Sequence, residues 1–473
     1  MVAALVIVSG AYGFHGDEMY YVVAGQHPAF GYVDQPPLTP LLSAGSVALF
    51  GVSPTAVRLL PTLEMALIVV LVALIARDLG GSRRAQVLAA VTAAVSGYLG
   101  AGHLDTTTDP DLLAWALVLW LLVKLLAGGD RRLWLAVGLV TGIGLENKDT
   151  LLFLGAGLAV GLVLARREDV IRSRWAWSAI GIAVLLWAPN LLWQAANGWP
   201  QLAMAQAIAG YAADNRAQFV PLLWLFSGPL LFVVSAAGLV WILRAKAAVA
   251  WRAIGTAALV ALVLVYLTGG KAYYVIGSVP VFMAAGAIVV DGWLARGHFR
   301  VKAASFAIAV VLSGGLIALL TLPVLPVATF ATSSLPAAIP DTANQIGWPQ
   351  FVATVEGVVA ALPPDERAHA VILTNDYSEA SPLILLGTGL PPVYSGHNAF
   401  WALGPPPADR TVVIHVGDWR PANYAQFFSG CQVVTTIDNG LGVETSEQGE
   451  AVTVCTGIRA PWTVMWPSLR TIS

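Results

Sequence analysis

Long apolar runs make up most of the chain, and short polar interruptions separate them. A helix that crosses a bilayer needs about 20 largely apolar residues. Stretches of that character lie near 1–14, 56–77, 85–102, 110–126, 133–147, 150–165, 175–194, 219–243, 251–268, 273–293 and 301–325, which predicts about eleven spans. The segment 36–50 is apolar but short, which predicts a helix lying in the membrane interface. After about residue 335 the texture changes. "AVILTND", "TVVIHVGD", "QVVTTID" and "AVTVCTG" are β-branched runs that read as strands. "WPQFVATVEGVVAAL" and "PANYAQFF" read as helices among them. The pattern predicts a polytopic α-helical membrane protein with a C-terminal α/β domain. The membrane part covers 1–330, with a first outer loop at 15–55, and the α/β domain covers 331–473.

Composition agrees with the pattern. Of 473 residues, 57% are hydrophobic and 11% are charged; soluble domains carry about 25% charged residues. The net charge of −2 says nothing about nucleic acid, but there is no long basic run, and no nucleic-acid partner is expected. No GxGxxG or Walker-type loop supports nucleotide binding.

Charge orients the spans, because cytoplasmic loops collect Lys and Arg. One set of alternate loops holds Arg77, Arg83, Arg84, Lys124, Arg131, Arg132, Arg166, Arg167, Arg172, Arg174, Arg244, Lys246, Arg252, Arg296, Arg300 and Lys302. The other set holds only Arg58, Lys148, Arg216 and Lys271. The first set is therefore expected on the cytoplasmic side of a plasma membrane. The second is expected outside, with residues 15–55, the 197–218 loop and the C-terminal domain. In that oxidising compartment Cys431 and Cys455 either pair or stay as inert core thiols. The opening stretch, "MVAALVIVSGAYGF", is short for a span and lacks a basic flank. It is expected to be kept rather than cleaved as a signal peptide, because it holds Asp17 in place. A true start further upstream would also explain its length.

Polar residues gather at the outer ends of the spans. Asp17 and Glu18 follow the first apolar segment, and Asp34 precedes a Pro-Pro pair. Each has an ordinary explanation. "HGDE" is good first-turn chemistry for a helix. Asp109 and Asp111 flank Pro110 and suit a helix start. Lys148 and Lys271 suit lysines whose heads reach the membrane surface, with Tyr273 and Tyr274 as interfacial aromatics. Their gathering on one face is what points to a site.

The order of these segments resembles the glycosyltransferase family 39 superfamily, which holds protein O-mannosyltransferases and bacterial aminoarabinose transferases. The resemblance runs through "DEMYYVVAGQHPAFGYVDQPPLTPLL", "TTTDPDLLAWAL", "GLVTGIGLENKDTLLFL", "PNLLWQAANGWP" and "GGKAYYVIGSVPVF". It reaches the tail at "TNDYSEASPLILLG" and "PPVYSGHNAFW". It implies the C-type glycosyltransferase fold, in a bacterial member. The implied reaction is inverting transfer of a sugar from a polyprenyl-phosphate donor to a hydroxyl on a protein, lipid or glycan acceptor outside the membrane. By the family pattern Asp17 is the base and Glu18 its neighbour. Arg58, Lys148, Lys271 and Gln35 are expected at the donor phosphate. Tyr20, Tyr21, Asp34, His103, Asp109, Tyr273 and Tyr274 are expected to line the substrate pocket. Arg216 reads as an ordinary loop charge.

Gln35 is a departure, because aminoarabinose transferases carry lysine there. That argues against aminoarabinose transfer to lipid A. No cofactor is expected. A metal held by Asp34 with His103 or Glu18 has thin support, so a metal-free site is the expectation. Two other classes compete. A lipid-linked sugar transporter or flippase predicts internal repeats and ionisable residues at midplane; Glu64 lies within a helix, but no repeat is visible and the polar residues cluster outside. An inactive sugar-lipid-binding scaffold sits poorly with an intact Asp17–Glu18 pair.

Overall fold

The computed structural model describes residues 1–418 and 421–472, with backbone alone for 421–423. Its contacts divide into two compact units. The first comprises Met1–Ile7, Gln35–Thr39 and Arg58–Leu322. The second comprises Val8–Asp34, Pro40–Val57 and the chain from Pro323 onward.

The first unit is a helical membrane bundle. Among the described residues, five helices are long and apolar enough to cross a bilayer: Pro54–Asp78, Arg174–Ala196, Lys246–Thr268, Ala272–Leu294 and Phe299–Thr321. Thr108–Leu126, Leu133–Leu145, Leu151–Leu164 and Phe232–Arg244 overlap further expected spans, and the expected span 85–102 is divided between Arg83–Ala94 and the short Tyr98–Ala101. Lipid tails give helices no hydrophobic reason to associate, so small residues that let backbones approach take over. Gly157 and Gly161, one turn apart, are such contacts. A Cβ at either would lie 2.2 or 2.3 Å from the carbonyl oxygen of Ala257 or Ala253.

Three expectations are corrected. The opening helix ends early, at Val8, where Ser9 and Gly10 follow. The expected span 219–243 is two helices, Ala212–Phe226 and Phe232–Arg244. Gly228, at φ +85°, and Pro229 break it. The expected loop 197–218 is largely helical, with Pro200–Gly210 ahead of Ala212–Phe226. The short segment at 36–50 does form a helix, Leu38–Phe50.

The second unit is built on a five-stranded sheet. Its strands are β1 (Ala370–Thr374), β2 (Val393–Ser395), β3 (Val412–Val416), β4 (Phe428–Thr436) and β5 (Ala451–Ile458), in the order β2-β1-β3-β5-β4. β1 pairs in parallel with β2 and β3, while β5 runs antiparallel to β3 and β4. β1 and β3 are buried along their whole length, as strands covered on both faces are. Their side chains alternate between two cores. Ile372 and Ile414 meet Phe351, Val355 and Val359 of the helix Trp348–Ala361. Val371, Leu373 and Val413 meet Trp462 and Trp466. Phe14, Met19 and Val22, from the N-terminal part of the chain, complete the first core, and the Trp348 indole N–H donates to the Phe14 carbonyl at 2.9 Å. Cys431 and Cys455 face each other across β4 and β5 and form a disulfide.

Candidate functional site

The paired acids of the first loop divide two tasks. The helix Gly16–Gln26 opens with His15 as its cap. Glu18 accepts from the His15 backbone N–H at 2.8 Å, and the His15 ring accepts from the Asp17 N–H at 3.2 Å. That reciprocal cap satisfies two orphan helix donors and turns Glu18 inward, where it is fully buried. Asp17 is left with a carboxylate that the cap does not use, about one-third exposed.

The tail contributes the partners of Asp17. The Tyr377 hydroxyl donates to Asp17 Oδ1 at 2.9 Å, while His15 Nδ1 lies 3.9 Å from Asp17 Oδ2. The Tyr377 ring packs between Tyr20, 4.4 Å away, and His397, 4.9 Å away. His397 is buried and contacts Asp376 at 3.0 Å; burial opposes it, yet this contact holds the Asp376 carboxyl below the usual range. Tyr20 donates to Asp34 Oδ1 at 2.9 Å and accepts from the Ala399 N–H at 3.2 Å. Tyr21 lies beside Tyr20, their rings 5.7 Å apart. Burial pushes Asp34 up to about 6, despite the hydrogen bond from Tyr20.

Asp17 opens on a cleft of about 380 Å³. The cleft walls carry Asp341, Asp376, Glu379, Glu447 and Glu450 and, among the described residues, no lysine or arginine. Such a surface repels a phosphate and leaves room for a neutral or cationic partner.

The cations lie in the first unit. Lys148 sits in the loop between the helices Leu133–Leu145 and Leu151–Leu164. That loop is pinned. Leu38 N–H donates to the Glu146 carbonyl at 2.9 Å, Thr39 donates to Asn147, and Asn147 donates to the Thr107 carbonyl at 2.7 Å. Lys148 Nζ donates to the hydroxyls of Thr107 and Thr108 at 3.2 and 3.4 Å. It lies 4.7 Å from the Tyr273 ring and 5.3 Å from that of Tyr274. Lys271 Nζ lies 5.8 Å from the same Tyr273 ring. Neither ammonium has a carboxylate within 4 Å among the described residues. Burial pulls Lys148 down to about 8; Lys271 adds to the shift and Asp111 opposes it. Two like charges lie around one ring, and the hydrogen-bond partners of Lys148 are hydroxyls, an arrangement that can attract an anion.

The other expected residues take different places. Gln35 is 3% exposed, and neither end of its carboxamide has a hydrogen-bond partner among the described residues. Asp109 accepts from the Thr106 N–H and hydroxyl at 2.8 and 2.9 Å, so the helix-start explanation holds for that oxygen. Arg58 is buried, its guanidinium 3.5 Å from His103 Nε2. Arg216 donates to the Tyr266 and Leu267 carbonyls at 3.1 and 2.8 Å, capping the end of a helix. No group of three His, Cys, Asp or Glu side chains among the described residues is arranged to hold a metal ion.

Asp376, Tyr377 and His397 were not expected at the site from the sequence. Their only signal was the pair of tail strings "TNDYSEASP" and "SGHNAF" quoted for the family resemblance.

Comparison with known proteins upholds that resemblance. Residues 34–193 match the dolichyl-phosphate-mannose-protein mannosyltransferase family. The match contains Gln35, Arg58, His103, Asp109 and Lys148, and Asp17 lies before it. A search of curated protein sequences returns no match. Two solved structures share the fold over nearly the whole chain. ArnT from Cupriavidus metallidurans bound to undecaprenyl phosphate has a TM-score of 0.63 at 14% identity, with 96% of each chain covered. The apo form of the same protein has a TM-score of 0.60 at 15% identity, with the same coverage.

Proposed function

We propose that this chain, a member of the glycosyltransferase family 39 superfamily by its matched segment and its fold, moves a sugar from a polyprenyl-phosphate donor to a hydroxyl acceptor. One observation carries the reading. Asp17 is a partly exposed carboxylate that helix capping leaves free, held by Tyr377 at the edge of an open cleft.

The chemistry follows from the charges. The Asp17 carboxylate takes the proton of the acceptor hydroxyl as that oxygen attacks the anomeric carbon. The bond from that carbon to the phosphate oxygen breaks on the opposite face, so the configuration inverts. Polyprenyl phosphate leaves with an added negative charge. Lys148 and Lys271 stabilise that charge, and fixed cations are worth more where water is scarce. Gln35, where relatives carry lysine, offers hydrogen bonds without charge. The undecaprenyl phosphate bound to ArnT supports a lipid carrier of this type.

The reaction belongs on the extracytoplasmic side of a plasma membrane. The Lys/Arg asymmetry supports that orientation. So does the Cys431–Cys455 disulfide, a bond that persists in oxidising compartments.

The test is turnover. Purified protein is incubated with radiolabelled polyprenyl-phosphate hexoses and pentoses and with cell-envelope acceptors. Acceptor-dependent loss of label from at least one donor is expected. A protein that binds these lipids, moves them across vesicles and transfers no sugar would be the transporter instead.

A further inference from the structure

The helix Arg174–Ala196 faces mostly outward. Only 17% of its most apolar window is buried, and its buried residues are Ala179, Ala183, Asn190 and Gln194. The two alanines have a packing reason. Gly138 and Gly142 of the helix Leu133–Leu145 press against Ala179 and Ala183, where a Cβ would lie 2.5 and 3.1 Å from their atoms. The two helices thus run side by side on small residues. Where that glycine stripe ends, the buried positions become carboxamides. Packing alone would call for more small or apolar residues there, because an amide sunk in a membrane helix costs free energy unless it has work to do.

The amides meet further polar groups. Glu146, just past the end of Leu133–Leu145, reaches the Asn190 backbone. Gln194 accepts from the Gln201 N–H at 3.2 Å. Hydrogen-bonding capacity remains on both sides. Gln194 is 2% exposed and its Nε2 has no partner among the described residues; Gln201 Nε2 is a second open donor among them. Glu146 Oε1 and Asp149 Oδ1 are open acceptors. A phosphate would ask for donors alone and a cation for acceptors alone. A hydroxyl both donates and accepts, so a mixed set of amide donors and carboxylate acceptors suits a polyol. Lys148, assigned above to the donor phosphate, is two residues beyond Glu146 in the same pinned loop.

We infer that Gln194, with Glu146, Asp149 and Gln201, forms a subsite for the hydroxyls of the donor's sugar and sets which sugar is used. This rests on the polyprenyl-phosphate reading. A site built to hydrogen-bond a hydroxyl discriminates sharply against sugars that place it elsewhere.

The test separates sugar from carrier. Gln194→Met keeps an unbranched side chain of similar length and suits a lipid-facing helix. Binding of sugar-free undecaprenyl phosphate is measured beside kcat/KM for a panel of undecaprenyl-phosphate hexoses and pentoses. The variant is expected to bind the sugar-free lipid like the wild type. It should lose roughly tenfold or more in kcat/KM for the preferred sugar, as when a hydrogen bond to substrate is removed. Its preference between epimers should narrow. Glu146→Gln, which keeps shape and removes charge, should show the same split and covers the case where Gln194→Met does not fold. Equal losses with and without the sugar, or unchanged preference in both variants, would overturn the subsite and leave the donor reading standing. A wild-type protein that binds no polyprenyl phosphate would overturn both.

Discussion

Replacing Lys148 with methionine removes one ammonium from the proposed phosphate site and keeps most of the side chain's apolar length. With burial pulling it down to about 8, the lysine is about nine-tenths protonated at pH 7. An ammonium about 4 Å from a phosphate oxygen gains up to about 4 kcal/mol at an effective dielectric of about 20. Lys148 is only half-buried, and the phosphate loses water on binding, so roughly 2–3 kcal/mol is a fairer figure, or about 30- to 150-fold in affinity. The assay is titration with undecaprenyl phosphate, followed by kcat/KM with a glycosylated donor from pH 6 to 9. The pH dependence has a defined sign. The folded protein holds the Lys148 charge below about pH 8 and loses it as pH rises through that value. Wild-type kcat/KM, which reports the free enzyme, should therefore fall above pH 8. Lys148→Arg should keep its activity to higher pH, because arginine stays charged. Unchanged lipid affinity in a folded Lys148→Met protein would refute the reasoning and leave Lys148 as a lysine that only reaches the membrane surface.

Three further outcomes are expected. Tyr377→Phe should lower kcat by roughly tenfold or more, the scale of a hydrogen bond to a charged group, and leave lipid binding intact; a purely structural tyrosine would shift Tm without that split. Lys271→Ala should reduce donor use by roughly 10²–10³, and adding Gln35→Lys should recover part of the loss, as steady-state kinetics on the single and double mutants would show. Cysteines introduced at the exposed positions Ser82 and Thr388 should label from opposite sides of the membrane; labelling of both from outside would overturn the eleven-span topology and move the proposed site.

The long helices were legible because a bilayer imposes one requirement, a sustained apolar run, and the run at 56–77 became Pro54–Asp78 almost residue for residue. The same requirement hid the break at 227–231, because Gly228 and Pro229 interrupt a stretch that is apolar on both sides. The 197–218 segment is polar and read as loop, yet its alanines and glutamines are good helix formers. Four strands showed as β-branched runs; β2, only three residues long, did not. At the site, the acid pair was visible in sequence, but its division of labour was not. That division comes from the cap geometry at His15 and from a tyrosine 360 residues further on. Likewise Lys148 and Lys271 were visible singly, while their sharing of one aromatic ring is a product of the fold. Gln194 lay inside a quoted family string with no role attached, because hydropathy does not show which face of a helix an amide occupies.

The claim that Asp17 is the base is tested most directly by Asp17→Asn, a nearly isosteric change that deletes only the basic carboxylate. Label transferred from a radiolabelled polyprenyl-phosphate sugar is measured beside binding of undecaprenyl phosphate. Transfer should vanish while lipid binding stays close to wild type. Near-normal turnover in Asp17→Asn would contradict the assignment, and with it the reading of the cleft that Tyr377 and Asp17 share.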